Sequence, residues 1–188
     1  MKQKYLIIIF IFFLFILTAC SSETSVELIE TKVEIIKDKE KTGAIEILDG
    51  DFKGQEFVPT VLHYEFTIKN IGNKKIDNIE SENLIITIQP HDSLIAVSEK
   101  ILGINIYNSS HYKNTGLGFG TSYATSLEPD QEETFAVYFD LGISEKTSEV
   151  SLLVPSRDEL KELIEHALEA TLVIELDEEE IARFDINP

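Results

Sequence analysis

Between Tyr64 and Lys69 the chain alternates without interruption. Tyr64, Phe66 and Ile68 are apolar, Glu65, Thr67 and Lys69 polar. A period of two is the pleat of a β-strand, so the first three side chains face one way and the other three the opposite way. Asn70 to Lys74, containing Gly72 and Asn73, then supplies turn-forming residues that end the strand. A strand with one apolar face must bury it against a second layer, which is the strongest constraint on the fold of this chain. Comparable β-branched and aromatic runs predict strands near Glu27–Ile36, Ala44–Leu48, Val61–Asn70, Asn83–Gln89, Ile101–Tyr107, Thr121–Ser126, Thr134–Asp140 and Glu149–Val154. The first is ambiguous, because Val26, Ile29, Val33 and Ile36 also fit a helical spacing; β-branched content favours the strand. Leu127–Gln131 reads as a turn feeding Phe135–Phe139, whose continuous apolar character suits an interior strand.

One helix is expected in the C-terminal half. Ser156 is its cap, Glu159 completes a capping box, and Leu160, Leu163, Ile164, Ala167 and Leu168 form one apolar stripe. Lys161 and Glu165 lie one turn apart on its outer side, and His166 is expected to pair with Glu162. Thr171–Leu176 and Ile181–Ile186 then read as a closing hairpin over Asp177–Glu180. The expectation is a mainly β, immunoglobulin-like sandwich with one helix in its C-terminal half, an α+β fold being the alternative. A single cysteine, Cys20, excludes an internal disulfide, so the core alone must hold the domain.

The first residues follow a different rule. Lys2 and Lys4 precede an unbroken apolar run from Tyr5 to Leu17, and Leu17-Thr18-Ala19-Cys20 comes directly after it. This is the order of charged, apolar and cleavage regions in an export signal. The run is shorter than the ~18–20 residues that a membrane-spanning helix needs, which disfavours a permanent transmembrane anchor. Leu17 to Cys20 resembles the lipobox of bacterial lipoproteins. The resemblance implies cleavage between Ala19 and Cys20, a diacylglyceryl group on the Cys20 sulfur, and display on the outer face of the cell membrane. The competing reading, Cys20 as a small buried hydrophobe, would set a core residue between an export signal and a polar stretch. The chain divides into a signal peptide (1–19), a lipidated cysteine with a short linker (20–25) and one extracytoplasmic domain (26–188).

The strand and turn over Tyr64–Asn73, with the turn and strand over Leu127–Phe139, resembles the telokin-like, immunoglobulin-type domains of exported Gram-positive lipoproteins. The resemblance spans Ala44 to Phe139. It implies binding or structural roles rather than chemistry, and the helix and final hairpin depart from the pattern.

Charge narrows the partners. Asp and Glu outnumber Lys and Arg 34 to 16, and loss of the signal peptide with Lys2 and Lys4 takes the net charge from −18 to about −20. No basic stripe is present for a phosphate backbone, which argues against nucleic acid. Asp49-Gly50-Asp51 opens like a calcium loop, but Lys53 and Thr60 stand where oxygen ligands belong, so a hairpin turn is expected. Glu175, Asp177 and Glu178 concentrate carboxylates at the last hairpin and are candidates for weak Ca²⁺ binding, a solvated tip being the alternative. The glycines of Thr115–Ser122 lack the helix and lysine of a phosphate loop. They read as a mobile surface loop ringed by Tyr107, His111, Tyr112, Phe119 and Tyr123, which is the candidate ligand site if it is more than ordinary packing. His63, His91, His111 and His166 show no HxxxH or HExxH spacing, and no GxSxG motif is present. The sequence therefore predicts no enzyme and no cofactor. It predicts a lipid-anchored binding or envelope-structural module, with a metal- or small-ligand-binding accessory of a transporter or sensor as the alternative.

Overall fold

The computed structural model describes residues 24–77, 84–122 and 126–187. Cys20 and its flanking residues, Asn83 and Tyr123 lie outside these segments. The fold is mainly β and sandwich-like. In chain order it contains β1 (Val26–Ile36), α1 (Lys39–Thr42), β2 (Ile45–Glu46), β3 (Glu56–Phe57), β4 (Thr60–Asn70), β5 (Ile76–Asp77), β6 (Ile85–Pro90) and α2 (Asp92–Leu102). A 3₁₀ turn at Ser109–Tyr112 leads to β7 (Phe119–Ser122), β8 (Ser126–Leu127), β9 (Glu132–Gly142), α3 (Arg157–His166), β10 (Ala170–Leu176) and β11 (Glu179–Asp185).

Two antiparallel sheets carry the core. One has the order β1-β4-β9-β7 and the other β11-β10-β6, with the β2-β3 and β5-β8 pairs as short ribbons. Tyr64, Phe66 and Ile68 of β4 and Phe135, Val137 and Phe139 of β9 share one buried cluster with Ile86 and Ile88 of β6 and Leu172 and Ile174 of β10. Leu94, Val97 and Leu102 of α2, Leu163 of α3 and Ala167 at the cap just after it join the same cluster. The alternation read from Tyr64 to Lys69 is therefore real: its apolar face lies in this core. The first half of β4 departs from it, since Thr60 through Tyr64 are all buried, on both faces.

Local signals explain most elements. β1 is a strand, resolved by its antiparallel ladder to β4, with Ile29 displaced at a bulge and exposed. Asn70 ends β4 as a buried node. Its amide donates to the Lys74 and Leu127 carbonyls, and its side-chain oxygen accepts from the Gly72 N–H. The turn after Asp49 is a hairpin, as read, with β2 paired to β3. α3 has the expected capping box. Asp177 and Glu178 both adopt left-handed φ, 52° and 68°, in the tight turn between β10 and β11.

Three expectations need correction. The segment expected to be a strand over Ile101–Tyr107 instead holds the end of α2, which closes on Gly103 in the left-handed conformation. Glu149–Val154 forms no extended strand, only an isolated bridge between Ile143 and Leu153. His166 pairs with Glu169 at 2.8 Å rather than with Glu162, because Glu162 is held by Lys100 of α2 at 2.6 Å. Lys161 and Glu165 do pair, at 3.6 Å. Among the described residues no helix is long and apolar enough to cross a membrane.

Candidate functional site

The expected aromatic stretch divides on folding. β6 and β7 each lie at one edge of their sheet, and between them opens a cleft of about 80 Å³ whose lining includes Ile86, Ile88, Tyr107, Phe119, Val137 and Phe139. Phe139 lies 4.7 Å from Tyr107 and 6.2 Å from Phe119, ring centre to ring centre. Phe119 is half exposed, which gives the cleft an aromatic rim. Tyr112 is buried behind it, 6.2 Å from Phe119, and its hydroxyl donates to the Asp140 carbonyl. His111 turns away, its Nδ1 accepting from the Asn105 N–H. The structure thus brings Tyr107, Tyr112 and Phe119 together and leaves His111 outside. Tyr123 is beyond the described residues.

The glycine-rich stretch is tied down rather than loose. Thr115 Oγ1 donates to the Tyr112 carbonyl, and the Gly118 N–H donates to Asp140 Oδ2. Gly116 has φ +75°, and a Cβ there would fall 2.0 Å from the Glu149 carbonyl oxygen, so only glycine fits.

The phenols at the cleft are committed to structure. Tyr64 donates to the Ala167 carbonyl at 2.8 Å, so the 2.8 Å contact between the Tyr64 and Tyr107 oxygens has Tyr107 as donor. Burial pushes all three hydroxyls, of Tyr64, Tyr107 and Tyr112, above the ordinary phenol value of 10.0. Asp140 is likewise raised by burial, partly offset by the Gly118 N–H. The cleft therefore offers ring faces and aliphatic surface beside Thr87 and Thr121, and its Tyr107 phenol keeps its proton near neutral pH. It is also well below the ~300–1,000 Å³ of pockets that enclose drug-sized ligands, so an aromatic or aliphatic side chain is nearer its capacity.

A second group was missed by the sequence reading, on the opposite face of β4. His63 is directly across from Glu34 in the β1-β4 register, and Glu65 follows two residues on, on the same face. The His63 side chain is only 6% exposed, and its Nδ1 is buried with no hydrogen-bond partner. That nitrogen is 3.9 Å from Glu34 Oε1 and 3.9 Å from Glu65 Oε1, too far for a hydrogen bond. Lys41 of α1 reaches over the same carboxylates, 3.5 Å from Glu34 and 3.7 Å from Glu65. Burial lowers the His63 pKa; the facing carboxylates oppose the shift and Lys41 adds to it. Among the described residues these three side chains form the group whose ligand atoms lie within 4.8 Å of one another. Glu175 lies on β10, and Asp177 and Glu178 form the turn between β10 and β11.

No family model, no curated protein and no solved structure matches this chain.

Proposed function

We propose that the protein is a lipid-anchored, extracytoplasmic, non-enzymatic module that acts by contact. The observation that carries this reading is the order of residues at the N-terminus: Lys2 and Lys4, an apolar run, then Leu17-Thr18-Ala19-Cys20, with β1 beginning at Val26. Two acyl chains on Cys20 would hold the protein far more firmly than one, since each buried CH₂ contributes about 0.8 kcal/mol. Residues 21–25 then span at most ~17 Å, which keeps the domain close to the lipid surface. The contact itself is best supported at the Phe119 rim of the cleft, where exposed aromatic surface stands over fully bonded phenols.

The test is replacement of the anchor residue. Cys20→Ser should abolish incorporation of labelled fatty acid and move the chain out of the membrane fraction or leave it unprocessed. A mature-size, membrane-bound Cys20→Ser chain would overturn the anchor. A metal-binding accessory role for a transporter or sensor is the second reading, favoured by the Glu34, His63 and Glu65 group.

A further inference from the structure

We propose that Glu34, His63 and Glu65 form a binding site for a borderline first-row divalent cation, with Zn²⁺ as its type ligand. The inference sharpens the second reading above and depends on neither the lipid anchor nor the cleft, so the Cys20 experiment and the one below fail separately.

Acidic side chains near one another are commonplace on a surface this negative, and alone they would carry nothing. The distinguishing feature is His63. A buried nitrogen without a partner costs about 1–3 kcal/mol, and such a group calls for an explanation. Here Nδ1 is sealed from water, unbonded, and aimed at two carboxylate oxygens 3.9 Å away. A tetrahedral ion with ligands at about 2.0–2.1 Å needs ligand atoms about 3.3 Å apart. Contraction of about 0.6 Å on each histidine–glutamate edge reaches that spacing. Glu34 and Glu65 can supply it, because their side chains are 49% and 32% exposed while β1 and β4 fix their backbones in register.

The donor set selects the ion. One imidazole nitrogen and two carboxylates suit Zn²⁺ and its neighbours, whereas Ca²⁺ and Mg²⁺ take oxygen ligands throughout. Three protein ligands leave a fourth position for water on the exposed side of the carboxylates.

Lys41 provides the second argument. Its ammonium sits over both carboxylates as a single positive charge, where the ion would sit. Its side chain is 47% exposed and springs from the four-residue helix α1, so it can leave for solvent without disturbing the sheet. Binding is then an exchange in which the lysine departs and the ion takes over both carboxylates and the idle nitrogen.

The experiment uses the full chain in detergent, stripped with a chelator and carrying Cys20→Ser so that no thiol competes. Titration with Zn²⁺ should give one site, and Co²⁺ should give the visible absorption of a low-coordinate nitrogen–oxygen site. His63→Gln should weaken Zn²⁺ binding roughly a hundredfold and abolish the Co²⁺ band, as ligand loss exceeds the ~10–100-fold of an outer-shell change. Lys41→Gln should strengthen binding several-fold, the opposite of what a merely structural ion pair predicts; this variant and Glu65→Gln keep the test open if His63→Gln misfolds. Unchanged affinity in His63→Gln and Glu65→Gln, weaker binding in Lys41→Gln, or displacement of Zn²⁺ by equimolar Ca²⁺ would each overturn the assignment.

Discussion

His63 and Tyr64 are neighbours on β4 and face opposite ways, and the two sides of the strand treat a buried polar group differently. Inward, the Tyr64 hydroxyl gives its proton to Ala167 and accepts one from Tyr107. Outward, the His63 Nδ1 is buried beneath two partly exposed carboxylates and bonds to nothing. A satisfied network rigidifies a core, whereas an unsatisfied group is a standing cost. One strand therefore joins a region set for stability to one where stability has been given up, and the latter is where an external partner can be accommodated.

Substitutions can break this contrast. Phe66→Ala on the inner face removes a fully buried ring and should cost about 3–5 kcal/mol in chemical denaturation, whereas Thr67→Ala on the outer face should stay within about 0.5 kcal/mol. Equal losses would erase the distinction. Tyr64→Phe keeps the ring but strands the Tyr107 hydroxyl and the Ala167 carbonyl, for an expected loss of about 1–3 kcal/mol.

The helix that presents Ala167 is held by its cap. Ser156→Ala should cost about 1 kcal/mol at neutral pH. Bonds from Ser156 hold the Glu159 carboxyl below its usual 4.5, so the carboxylate's share of the cap is present above pH 4.5 and is lost as pH falls through the lower folded value, while the bond from the Glu159 N–H to Ser156 stays. The difference between the two chains should shrink on acidification, and a constant gap would show that the carboxylate takes no part. The smallest effect is also the sharpest, because its sign is reversed. Without metal, His63→Phe should raise stability by up to about 1 kcal/mol, since it removes the unpaired nitrogen. With Zn²⁺ in excess, the parent chain should become the more stable of the two.

β4 was legible because alternation and turn chemistry agree there, and α3 because Ser156, Glu159 and the apolar stripe agree. α2 was not. Ile95, Val97 and Ile101 are β-branched, and His91 at its N-cap makes no side-chain cap bond. The helical spacing of Leu94, Val97, Ile101 and Leu102, bracketed by Pro90 and Gly103, is the signal that could have marked it. The cleft was half legible: aromatic residues near a glycine-rich loop pointed to it, while Ile86 and Ile88 arrive by sheet pairing. His63 and Glu65 are close in sequence, but Glu34 reaches them only through the register of β1 on β4. Alternation assigns faces and does not fix register across a loop.

The ladder between β1 and β4 also decides how the domain bears load. A pull from the chain before Ser25, if directed along β1, would load that strand along its length, and the Ser25 carbonyl is gripped by the Ile71 and Gly72 N–H groups beyond the far end of β4. Tension in that direction would meet the pairs between Val26 and Ile36, interrupted at the Ile29 bulge, side by side rather than one after another. Loaded along its axis, the chain's entry strand is held in shear, the geometry that resists being torn open.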